Sequence, residues 1–202
     1  MTETLLAIVL FAITMTGTPG PNNIMIMTSG LNYGIRRSLP HFFGICIGTA
    51  VLVFSVGMGL GALFSEYAWL HTGVKILGVG YLLFLAWKIA NAAAPVRPDA
   101  EADVVTLGTP LTFFQAVLFQ WVNPKAWIIS IGAIAAFTTG DQSLFVQVAV
   151  IATVMLVCAH PCVAIWLVFG YSLRKLLADP VKRRMFNWTM AVLLVASVIT
   201  IV

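Results

Sequence analysis

Two apolar stretches of this chain are broken by proline and asparagine, at Thr18-Pro19-Gly20-Pro21-Asn22-Asn23 and at Asn123-Pro124-Lys125. A bilayer core offers loose backbone no water, so such breaks persist only where neighbouring protein or a polar cavity satisfies the freed groups. Two of them in matching positions point to the binding region of a carrier. Composition places both in lipid: 60% of residues are hydrophobic and only 9% charged, where a soluble domain carries about a quarter charged. Mean hydropathy is +1.00. The net charge of +4 is spread over short connectors, which fits membrane topology and excludes a nucleic-acid surface. Met1-Thr2-Glu3-Thr4 lacks the basic start of a cleaved leader, so the first apolar segment is expected to stay as a span. Cys46, Cys158 and Cys162 all fall in apolar segments and read as reduced, buried small hydrophobes.

A span needs roughly 20 apolar residues. On that measure the spans are Leu5–Leu31 (broken), Leu39–Phe64, Trp69–Ala92, Leu111–Thr138 (broken), Leu144–Tyr171 and Met185–Val202. The fold class is therefore an all-α integral membrane protein of six transmembrane helices. Pro95, Pro98, Pro110 and the acids Asp99, Glu101 and Asp103 mark residues 93–110 as a polar linker. It separates a first three-span repeat, residues 1–92, from a second, residues 111–202. An odd number of spans per half inverts the second half relative to the first, with the first helix of each repeat broken.

Basic residues set the orientation. Arg36, Arg37, Lys88, Arg97, Arg174, Lys175, Lys182, Arg183 and Arg184 lie in or beside one set of connectors, whereas the opposite set carries Glu66 and Asp141. The positive-inside rule makes the basic set and the linker cytoplasmic and puts both termini outside. Trp69, Trp87, Trp166 and Trp188 suit interfacial anchors.

Asn123-Pro124 reads as N-cap and first residue of a new half-helix, and Thr18-Pro19 or Gly20-Pro21 does the same for the first break. A helix start offers N–H donors and about half a positive charge, which favours an anion. Asn22, Asn23 and Asn123 add amide groups, and the carbonyls freed before each break can receive an ammonium group. Together these are the two ends of a zwitterion. Thr18, Pro19, Gly20, Pro21, Asn22, Asn23, Asn123, Pro124 and Lys125 are accordingly the candidate substrate-binding residues. A lysine at mid-span costs roughly 2.5–3.5 kcal/mol, and no Asp or Glu lies in any span to neutralise Lys125. A substrate carboxylate would do so, while backbone carbonyls are the structural alternative. Lys75 can snorkel to an interface. His160, beside Pro161, is a candidate proton relay or a hydrogen-bonded core residue; His41 is expected at the cytoplasmic interface. Gly44-x-x-x-Gly48 and Gly57-x-x-x-Gly61 suit close helix packing, compatible with a homodimer without requiring one.

The run Thr18–Asn23, the following Gly34-x-Arg36, Gly44-x-x-x-Gly48, Tyr81-Leu82-x-x-x-Ala86-Trp87 and Asn123-Pro124-Lys125-Ala126 closely resemble the LysE/RhtB family of bacterial amino-acid exporters. The resemblance covers the whole chain. It implies an inner-membrane efflux carrier for amino acids or close derivatives, driven by the proton gradient, with lipid and a small-molecule substrate as its partners. Similar members export neutral compounds such as threonine, homoserine, leucine or cysteine-related metabolites. The lack of intramembrane acids argues against a substrate with a second positive charge. With no nucleotide-binding glycine-lysine loop, an ion or proton gradient is the energy source, and Lys125 and His160 are the available proton carriers. The alternatives are an intramembrane enzyme or a scaffold that moves nothing. Ser55, Ser130, His160, Cys158 and Cys162 form no paired catalytic or metal-binding motif, so no enzyme activity, cofactor or metal is expected.

Overall fold

Proline and glycine decide where the helices stop. The computed structural model describes residues 2–92, 109–140 and 142–199, and the secondary structure among them is helical throughout. Helix α1 (Thr2–Gly17) ends at the first break, and α2 (Pro21–Tyr33) resumes with its axis bent by 58°. Of the two proline starts open to it, the chain uses Gly20-Pro21, with Gly20 as N-cap and Pro21 at the first helical position. Gly34, at φ +80, turns the chain into α3 (Ile35–Ser55), a left-handed conformation that glycine adopts without a Cβ clash. A π-helical turn (Val56–Leu60) with Gly59 at φ +113 leads into α4 (Gly61–Glu66).

Helix α5 (Ala68–Ala90) completes the first half. The second half opens on α6 (Phe113–Gln120), whose start is fixed by a reciprocal capping box between Thr112 and Gln115. After the second break come α7 (Pro124–Phe137), the 33-residue α8 (Leu144–Leu176) and α9 (Pro180–Ile199).

Ile35–Leu60, Thr72–Ala90 and Leu144–Leu176 are long and apolar enough to cross a bilayer, and the bent pair α1–α2 passes the same test when its two helices are taken together. Boundaries differ from expectation at the second half. The 8-residue α6 and 14-residue α7 each fall short of a span alone. Helix α8 runs through Pro161 and past Tyr171 to Leu176, while α9 already begins at Pro180. The connector Tyr171–Arg184 thereby shrinks to Leu177–Asp179, and Lys182, Arg183 and Arg184 become helical. Most of the linker lies outside the described residues.

Helix α8 is central and packs on α1, α2 and α3; α3 also packs on α6, and α5 pairs with α9. Backbones touch where glycines allow it. A Cβ on Gly170 of α8 would overlap the Met27 carbonyl oxygen of α2, and one on Gly30 would overlap the Leu167 carbonyl oxygen in return. Gly44 and Gly48 both face α6, where added Cβ atoms would lie 2.6 Å from Ala116 Cβ and 2.8 Å from Val117 Cα. In the other glycine pair a Cβ on Gly57 would press on Val148 and Ile134, whereas one on Gly61 would make ordinary contact with Val56 of the preceding turn. The three cysteines are free and buried, as their apolar setting predicts. Outside, residues such as Leu10, Ile76, Leu77, Leu118, Ile128 and Ile165 are exposed, as lipid-facing helices require. Trp69, Trp87 and Trp188 are exposed, whereas Trp166 donates its indole N–H to Gly17 O at 3.0 Å. It braces the first break instead of anchoring at an interface.

Candidate functional site

The break in α1–α2 leaves carbonyls without helical partners, and side chains from both halves of the chain take them. Asn23, nearly fully buried, donates its amide N–H groups to Thr16 O and Thr18 O at 2.9 and 2.7 Å, closing the end of α1. Lys125, from the first turn of α7, donates from Nζ to Thr18 O at 2.7 Å, Thr18 Oγ1 at 2.8 Å and Pro19 O at 3.1 Å. The close approach depends on Gly20, where a Cβ would stand 2.7 Å from Lys125 Cδ.

The second break is capped by its own asparagine. Asn123 Oδ1 accepts from Lys125 N at 3.2 Å, and Asn123 O accepts from the Ala126 and Trp127 amides. Amide donors expected to face an anion at the start of α7 are thus partly committed to the chain. Trp127 Nε1 donates to Trp121 O at 2.9 Å, tying the residues on either side of the break.

A reciprocal amide pair joins the two breaks. Asn22 Nδ2 donates to Gln120 Oε1 at 2.8 Å, and Gln120 Nε2 donates to Asn22 Oδ1 at 3.1 Å and to Ala116 O at 2.9 Å. Thr49 Oγ1 donates to Gln120 Oε1 at 3.4 Å from α3. Sequence reasoning missed Gln120 and Thr49. A glutamine inside an apolar run, three residues before the Asn123-Pro124 break, is a signal that could have found the first; Thr49 carries none beyond its polarity.

Gly20, Asn22, Asn23, Asn123 and Lys125 line one cavity of about 30 Å³, with Ala159 and Val163 of α8 in its wall. Thr18 and Pro19 contribute through their bonds to Lys125, and Pro21 and Pro124 start the helices on either side. A volume of this size holds about two waters. His160 is not brought to this cavity. Its Nδ1 lies 2.7 Å from Leu156 O, and its ring packs on Phe42 and Phe43 with centroids 5.6 and 6.0 Å away. His41, expected at the interface, is instead 1% exposed, because the corner at Gly34 folds α3 back along α2.

The site therefore has an ammonium group seated on carbonyl and hydroxyl oxygens at the junction of two half-helices. No carboxylate side chain lies in any apolar span to balance it. A family model described as LysE type translocator matches residues 13–200. A cysteine/O-acetylserine efflux protein of Klebsiella pneumoniae is 29% identical over 210 residues, covering 100% of this chain and 99% of that protein. The protein of the same description from Escherichia coli strain K12 is 28% identical over 206 residues, with the same coverage. A membrane protein of Vibrio cholerae without a described function is 30% identical over 132 residues, 65% of this chain and 63% of its own. No solved structure matches.

Proposed function

The chain belongs to the LysE type translocator family, and on that premise we propose that it is a secondary exporter of neutral amino acids or close derivatives, binding the zwitterion between the two helix breaks. The observation that carries this reading is Lys125 Nζ held by Thr18 O, Thr18 Oγ1 and Pro19 O. Those oxygens form a ready-made ammonium receptor. When a substrate's ammonium group takes them over, Lys125 is released as the partner of the substrate carboxylate, and no net charge is left unpaired at mid-span. Asn22 and Gln120 separate as the cavity opens, each exchanging its partner for substrate or water. The names carried by the relatives, cysteine and O-acetylserine efflux, are both of neutral amino acids and support the same substrate class.

An inverted repeat is supported by how the helices pair. Helices α3 and α8 occupy equivalent places in the two halves and pack on each other, as do α5 and α9. The contact of α1 and α2 with α8 has its counterpart in that of α6 and α7 with α3. In the bacterial inner membrane, the end bearing Arg36, Lys88 and Arg174 faces the cytoplasm and both termini lie outside. A membrane-impermeant thiol reagent applied to intact cells is expected to label a single cysteine at Gly140, in an otherwise cysteine-free chain, and to spare one at Leu177. The reverse pattern overturns the orientation.

Purified protein in liposomes loaded with cysteine, O-acetylserine, threonine or lysine tests the function itself. Efflux is expected for the neutral compounds and not for lysine. An inward proton gradient is expected to accelerate it, with a proton exchanging on Lys125 as the amino acid leaves. Failure to release any of the neutral compounds overturns the exporter reading; efflux indifferent to a pH gradient at fixed membrane potential removes proton antiport.

A further inference from the structure

A second cavity, of about 40 Å³, lies away from the breaks where α2, α3 and α5 meet at the basic end of the bundle. Ser29, Asn32, Tyr33, His41 and Lys88 line it. Polar side chains buried in a membrane bundle normally find partners, and part of this group does. Ser29 Oγ lies 2.9 Å from His41 Nδ1. Asn32 Nδ2 donates to Asn187 Oδ1 at 3.2 Å, and Asn187 Nδ2 donates to Ala92 O at 3.4 Å.

What remains is unbalanced. His41 Nε2 and Asn32 Oδ1 have no hydrogen-bond partner among the described residues, although these residues are only 1% and 3% exposed. In the tautomer in which Ser29 Oγ donates to Nδ1, Nε2 carries the ring proton and is a buried donor facing the cavity. Lys88 adds a half-buried ammonium group, and among the described residues no acidic side chain lines the cavity. The three groups amount to a cation, a spare donor and a spare acceptor. Leaving such groups unpaired in a low-dielectric bundle is costly, and a carboxylate satisfies the first two at once.

We propose that this cavity is a carboxylate-binding site, distinct from the helix breaks, in which Lys88 and His41 Nε2 receive the anion. Asn32 Oδ1 is left to accept from an ammonium group beside it. The identification of the ligand as an amino acid arriving from the basic end rests on the exporter reading; the site itself does not. About three water-sized groups fit in the cavity, enough for a carboxylate.

Propionate titrated against the detergent-purified full chain, followed by calorimetry, provides the test. The expected result is saturable binding that weakens at least tenfold in Lys88→Met and in His41→Gln and stays within about threefold of wild type in Lys88→Arg, which keeps the charge. No propionate binding by the wild type, or equal binding by Lys88→Met, overturns the proposal. The chain's own linker acids are a second source of carboxylate. If the variant Asp99→Asn, Glu101→Gln, Asp103→Asn binds propionate more tightly than wild type, the site is filled from within and the free-ligand assignment falls. In liposomes, Lys88→Met is expected to raise the half-saturating amino-acid concentration from the basic end about tenfold at unchanged maximal rate. Propionate binding lost in Lys88→Met, together with a wild type that transports nothing, would sink the exporter reading and leave the site standing.

Discussion

Lys125→Ala is expected to lower substrate affinity at the helix breaks by tenfold to hundredfold or more while membrane abundance stays near normal. Each charge-assisted contact removed is worth about 1.5–3 kcal/mol, and every 1.4 kcal/mol is a factor of ten. On the proposed mechanism one side chain supplies both the partner for the carboxylate and, while no substrate is bound, the occupant of the ammonium receptor. Abundance should hold because Asn23 still closes the end of α1 through Thr16 O and Thr18 O. Lys125→Arg is not expected to restore function: the methylene chain already passes close over Gly20, and a planar guanidinium needs a wider slot than three converging oxygens leave. Half-saturation of efflux in liposomes is the measurement, and a Lys125→Ala carrier with wild-type half-saturation removes this lysine from the site.

Gly170→Val is expected to destabilise the bundle by about 3 kcal/mol or more, at the upper end of overpacking costs. Any Cβ at this position overlaps the Met27 carbonyl oxygen, and the nearest atoms are backbone and cannot swing aside. The α2–α8 contact would have to part along its length, because Gly30 is wedged against Leu167 in the same seam. Gly80→Ala is the matched control, since nothing lies within 4 Å of a Cβ there; it is expected to stabilise slightly, by up to about 1 kcal/mol, through helix propensity. Thermal unfolding in detergent distinguishes the two. Equal melting of Gly170→Val and wild type would mean that this seam does not hold the helices together.

The contrast between these residues shows what the amino-acid order discloses. Hydropathy and proline act locally, so the all-helical class, the first break, the start at Pro124 and a restart at either Pro19 or Pro21 were legible from neighbouring residues alone. Helix ends were less so: Arg174, Lys175 and Lys182 to Arg184 read as connector, yet lie in helices because basic residues extend a helix beyond the lipid at little cost. Partnerships across the chain were not legible. Lys125 is where the sequence placed it, but in this conformation it is held by carbonyls 106 and 107 residues away and not by an anion. Gln120 meets Asn22 across 98 residues, and Trp166 meets Gly17 across 149. No local pattern encodes which freed carbonyl lies opposite which donor. His41 reads as interfacial when position along a span is the only guide, and as buried once the fold back at Gly34 is known.

Helix α8 has a mechanical consequence. Its 33 residues span about 50 Å at 1.5 Å per residue, well beyond the roughly 30 Å hydrocarbon core. Its midpoint falls at His160, beside Ala159 and Val163 in the wall of the cavity at the breaks. Gly170 engages α2 on one side of that midpoint and Val148 engages Gly57 on the other. On the proposed reading of that cavity as the binding site, the helix is a lever with its fulcrum there. A tilt of about 10° moves each tip by roughly 4 Å in opposite directions, the scale on which packed helices shift in domain closure. If the chain exports as proposed, one tilt of this helix shuts one mouth by the same motion that opens the other, with Pro161 beside the fulcrum leaving its two arms free to bend.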